Sequence, residues 1–114
     1  MNEETKLNDK EDILDKIIGI VAKCTSYKRE GLPKITPEDL LGEKRDENIS
    51  MARSILALQL RNEGYNVPTI AALLNRSEQA TRKLIKQAYN NIASSRACRR
   101  AAAEVVLEIE KLYE

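Results

Sequence analysis

The sequence contains no histidine, no phenylalanine and no tryptophan, and only two cysteines, three prolines and four glycines in 114 residues. Each scarcity excludes something. Without histidine, the commonest metal ligand and the commonest general base are both missing. Cys24 and Cys98 lie far apart with no CxxC spacing. They read as small core residues in a reducing compartment, not as a zinc or redox pair. No GxxxxGK[ST] loop is present to cradle a nucleotide. No acidic cluster is set among apolar residues, and the dense acids from Asp9 to Asp15 suit a helix N-terminus. The expectation is a protein that is no enzyme and uses no metal, nucleotide or other cofactor.

A long apolar run is missing too. Ile17 to Ala22 is too short to cross a bilayer, and the acidic start does not resemble a signal peptide. A cytoplasmic protein with no membrane partner is expected. Without Phe or Trp the core must be aliphatic, built from Leu, Ile, Val and Ala with a few Tyr. The shortage of Gly and Pro, beside abundant Ala, Leu, Glu, Lys and Arg, favours helix throughout. The length suits one compact domain. These features together predict an all-α bundle of about five to six helices.

Charge is present in quantity but unevenly placed. The formal net charge is only +1. Yet from Arg53 to Ala103 two acids, Glu63 and Glu78, stand against nine Lys and Arg residues, a local excess of +7. A nearly neutral chain with such a segment has a directed field, which suits a polyanionic partner.

Taken in order, residues 1–8 are polar and read as a disordered N-terminus, and 9–114 as a single domain. Asp9 to about Thr25 is a helix with Ile13, Ile17, Ile20, Val21 and Cys24 on one side. Tyr27 to Lys34, with Gly31 and Pro33, is a loop. Thr36 reads as the N-cap of a short helix, Pro37 as its first residue, and Gly42 as its stop. Glu43 to Asp46 is a polar connection. Asn48 to Glu63 is apolar around most of its circumference, the mark of a central helix wrapped by others, and Gly64 closes it. Ser94 or Ser95 caps a last helix to about Leu112, whose buried stripe is Cys98, Ala101, Ala102, Val105, Ile109 and Leu112. Its Arg96, Arg99 and Arg100 crowd the N-terminal part while Glu108 and Glu110 lie toward the end, against the helix dipole. Phosphate contact or an acidic neighbouring helix would explain that order.

Asn66 to Ile92 reads as a short helix, a turn and a longer helix. Pro68 fits a first turn, Asn75-Arg76 the turn, and Ser77 the cap of the second helix. In that helix Thr81, Leu84, Ile85, Ala88 and Ile92 define an apolar face within roughly 60° of one direction. Gln79, Arg82, Lys83, Lys86 and Asn90 fall on the opposite side. Such a helix is what a helix-turn-helix places in the major groove.

From Ile35 to about Ile92 the chain resembles the C-terminal DNA-binding domain of DnaA, the bacterial chromosomal replication initiator. The matching residues are Glu38-Asp39-Leu40-Leu41, the Lys44-Arg45 pair, and the helix from Ile49 with Arg53, Ile55, Leu56 and Leu58. Asn66-Val67-Pro68-Thr69-Ile70, Leu73-Leu74 and Arg76 complete the set. The resemblance implies a Trp-repressor-like helix-turn-helix fold, with Arg45 reaching into a minor groove and Arg53 and Arg76 near phosphates or the groove edge. The family's turn runs Gly-Arg, an acid, His and two Thr. Here Arg76 is followed by Ser77-Glu78-Gln79-Ala80-Thr81, so reading of the initiator's own boxes is not implied. The initiator's ATPase module has no counterpart.

The expected function is non-enzymatic binding of double-stranded DNA in replication or transcription control, within the nucleoid. The residues expected at DNA are Lys44, Arg45, Arg53, Arg76, Ser77, Gln79, Arg82, Lys83 and Lys86, with Gln79 and Arg82 suited to base edges and the others to phosphates or positioning. The alternative is an adaptor that keeps the fold and binds an acidic protein partner with the same basic face. The sequence leaves the oligomeric state open.

Overall fold

The computed structural model describes residues 3–26 and 34–114, with side chains described from Ile13 onward. It is an all-α bundle of six helices: α1 Glu3–Thr25, α2 Pro37–Leu41, α3 Glu47–Asn62, α4 Val67–Leu74, α5 Glu78–Ser94 and α6 Arg96–Leu112. No strand occurs among the described residues. Helical backbone already runs from Glu3, ahead of the start expected at Asp9. The loop expected over Tyr27 to Lys34 lies, but for Lys34, outside the described residues.

The apolar circumference of α3 has its expected consequence. Every residue from Ala52 to Leu60 is buried, and α3 packs against each of the other helices. Ile17, Val21, Leu40, Leu56, Leu60, Ile70, Leu74 and Val105 are essentially inaccessible and form the centre of the core. Leu84 and Ile85, expected in that core, are half-buried at its edge. In α6 the stripe Cys98, Ala101, Val105 and Ile109 is buried, while Ala102 and Leu112 are half-buried.

Local chemistry sets the joints. The Ser26 hydroxyl donates to the Ala22 carbonyl (2.7 Å) and accepts from the Ile35 amide (2.8 Å), tying the chain entering α2 to the end of α1. Thr36 and Asp39 form a reciprocal capping box at α2, with bonds of 3.1 and 3.0 Å. Gly64 ends α3 at φ 101, a left-handed conformation that a Cβ would strain. The Tyr65 amide there closes back on the Leu60 carbonyl at 3.1 Å. The turn after α4 repeats the device with Asn75 at φ 53, and the Arg76 amide reaches the Ala71 carbonyl at 2.9 Å. Asn66, Ser77 and Ser95 each accept a backbone amide as the N-caps of α4, α5 and α6.

Candidate nucleic-acid interface

The candidate surface is built from the turn between α4 and α5, the solvent side of α5, and the segment joining α2 to α3. The 3.6-residue period that seats Thr81 and Ala88 against the core turns Gln79, Arg82, Lys83 and Lys86 outward, and all four are exposed. Gln79, Lys83 and Lys86 have no partner among the described residues. Arg82 meets Glu78 at 3.5 Å, an i,i+4 pair with both side chains more than half exposed. Such a pair is worth little and leaves the guanidinium free to exchange partners. Ser77 is engaged in capping, its hydroxyl accepting from the Ala80 amide at 3.0 Å. The hydroxyl of Thr81 behind it donates to the Ser77 carbonyl at 2.9 Å.

Arg76 connects this helix to the α2–α3 segment. Its guanidinium donates to the Leu74 carbonyl at 2.6 Å and, across the fold, to the Gly42 carbonyl at 2.9 Å. A cleft of ≈ 320 Å³ lies there, lined by Arg45 and Arg76 together with Gly42, Glu43, Leu74 and Asn75. The structure therefore brings Arg45 and Arg76 together at the turn that leads into α5. Lys44 points elsewhere along the segment and pairs with Asp39 at 3.1 Å while keeping most of its side chain in solvent.

Arg53 is a correction. The sequence reading placed it at the DNA surface, but it is 3% exposed. Its Nε donates to the Leu40 carbonyl at 2.9 Å. Nη2 reaches the carbonyls of Asp39 (2.9 Å), Gly42 (3.1 Å) and Lys44 (2.9 Å). A buried guanidinium needs acceptors, and the end of α2 supplies them because its last carbonyls have no intrahelical partners. Arg53 thus clamps the α2 terminus and the basic segment from beneath. Burial holds it below the usual arginine range, and the nearby cations of Arg76 and Arg45 push the same way, with Asp39 opposing. Three guanidiniums converge on one loop.

Two details were hidden from sequence reasoning. Gly42 offers its carbonyl to both Arg53 and Arg76, and a Cβ there would stand 2.9 Å from the Glu38 carbonyl oxygen, so only glycine fits without moving backbone. No local signal marked it, since α3 carries both Arg53 and Arg61 and only the first is buried. The second is Arg99, which donates to the carbonyls of Ile92 (3.2 Å) and Ala93 (3.3 Å) at the end of α5. It opposes the dipole of its own helix but serves the negative end of the preceding one. Asp46 and Glu47, which follow Arg45, occupy the start of α3, where acids are favoured.

Nothing in the described residues groups three or more Cys, Asp or Glu side chains into a metal site. No helix among them is long and apolar enough to cross a membrane. Neither a scan of protein-family models nor a search of curated proteins returned a match to the chain.

Proposed function

We propose that the protein binds double-stranded DNA without enzymatic activity, laying α5 in the major groove. The observation that carries the reading is the exposed face Gln79, Arg82, Lys83 and Lys86, on the second of two helices joined by a turn that borders the Arg45–Arg76 cleft. Lys83, Lys86 and Arg76 supply phosphate contacts; Gln79 and Arg82 reach base edges, where Gln pairs with adenine and Arg with guanine. Arg45 stands at the neighbouring groove edge. The DnaA-like order of residues supports a role in replication or transcription control on the nucleoid, without the initiator's ATPase.

The test is a titration of the chain against random-sequence duplex at two salt concentrations. Affinity should fall by roughly 0.9 log units per log unit of salt for each phosphate neutralised. No binding at low salt would reject the reading. Retention of an acidic protein on the same face, abolished by the same substitutions, would replace it with the adaptor.

A further inference from the structure

The outer side of α6 carries a pattern that lies outside the proposed DNA face on α5. At 100° per residue, the direction opposite the buried Cys98, Ala101, Val105 and Ile109 is held by Arg96, Arg100, Ala103, Leu107 and Glu110. All five are exposed. Their spacing alternates between four and three residues, so they form one continuous seam along the helix. Leu107 is 60% exposed and its neighbour Val106 42%. Among the described residues, these two are the exposed large aliphatic side chains. Around them the seam has two cations, Arg96 and Arg100, toward one end and the anion Glu110 toward the other. Arg96, Arg100 and Glu110 have no ionic partner among the described residues, whereas Arg99 is held by α5 and Lys111 by Glu108 at 3.2 Å.

We infer that this face is an interface between two copies of the chain, with α6 packed antiparallel on α6. A two-fold axis level with Val105 sets Arg100 against the partner's Glu110 and Ala103 against the partner's Leu107. Each contact occurs twice, because a two-fold interface is self-complementary. Parallel packing would set Arg on Arg and Glu on Glu, so the charge order selects the antiparallel arrangement. The order that is unfavourable along a lone helix, cations first and anions last, becomes favourable when each end faces the other end of a second copy. A different partner helix would not require the seam to read as its own complement. The inference is independent of the DNA reading.

Sedimentation of the full chain from micromolar to several hundred micromolar concentration tests it. The mass should rise from the 12.9 kDa of one chain toward twice that value, and less so at high salt. Arg100→Glu and Glu110→Arg should each weaken the dimer on the order of tenfold or more, since each sets like charges together twice. Mixing the two variants should restore a heterodimer, because both of its cross-contacts then pair opposite charges. Leu107→Arg should give a monomer that mixing does not rescue. All three positions are exposed, and melting curves by circular dichroism should match the wild type. A wild-type chain that stays monomeric overturns the inference. So does a dimer indifferent to these substitutions, or a mixture that fails to pair.

Discussion

At the scale of single residues, the division that matters is between cations that hold the fold and cations that face solvent. Arg53 and Arg45 sit eight positions apart on the same structural feature but do different work. Arg53→Met should cost roughly 3 kcal/mol or more, since hydrogen bonds from a charged donor are worth about 1.5–3 kcal/mol each and the α2 carbonyls would be left without partners. Arg45→Ala should leave denaturant stability unchanged within about 0.5 kcal/mol, because the side chain is exposed. It should weaken duplex binding most at A·T-rich flanks, where the minor groove is narrow and negative. Equal stability losses from both would contradict the clamp. Asp39 supplies the acid-sensitive residue. The Thr36 amide first, then Lys44, holds its carboxyl below the ordinary 3.8. A depressed folded-state pKa adds stability above the ordinary value, and that contribution is lost as pH falls through the folded value. Asp39→Asn should therefore flatten the acid limb of the stability curve, and an unchanged limb would show that the capping box contributes nothing there. Thr36, Pro37 and Gly42 were legible as the boundaries of α2 because caps and stops are local chemistry. The role of Arg53 was not, because its acceptors are 9 to 14 residues away. Spacing alone cannot tell a buried arginine from a surface one.

At the scale of elements, α3 and α5 were readable for opposite reasons. In α3 apolar residues surround the helix, and packing against each of the other helices follows. In α5 the two faces differ so sharply that periodicity alone located the solvent side. The half-burial of Leu84 and Ile85 was less legible, since a helical wheel gives direction and not depth. The direction of the α6 charges was visible, but their cause was not. It required knowing that Arg99 lies against the end of α5. The solvent face of α5 makes a prediction that divides its residues by role. Lys86→Ala should weaken binding to all duplexes about equally and lower the salt slope by about 1. Gln79→Ala and Arg82→Ala should each cost ~1–3 kcal/mol on a preferred duplex and relax discrimination at one base pair. Arg82 carries an extra control, because its surface pair with Glu78 adds little stability. Its loss should appear in binding titrations and not in melting curves. Identical, sequence-independent effects from all three would reduce the helix to a phosphate-binding surface.

At the scale of the whole molecule, the two proposed surfaces constrain each other. Helix α6 follows α5 after the single residue Ser95, and Arg99 fastens the joint by bonding to the last carbonyls of α5. A two-fold axis through α6 would therefore hold the two α5 helices in a fixed relation with no flexible linker between axis and reading face. Two-fold symmetry in a protein is mirrored in its DNA site, so the preferred duplex should be an inverted repeat. Its half-sites should be spaced by about one helical turn, ~34 Å, or a multiple of it if both α5 helices enter major grooves on one side of the duplex. Selection of bound duplexes from a random pool, read by sequencing, checks this. Wild-type chain should enrich paired half-sites of fixed spacing. Leu107→Arg should enrich the same half-site singly, with weaker binding and no preferred spacing, because base-contacting residues are untouched while the second copy is lost. Arg100→Glu and Glu110→Arg should behave as Leu107→Arg does when used alone and recover the paired site when mixed. Single half-sites from the wild type would leave α5 as the reader and remove the dimer from recognition. Paired sites that survive Leu107→Arg would place the two-fold axis on another face of the molecule.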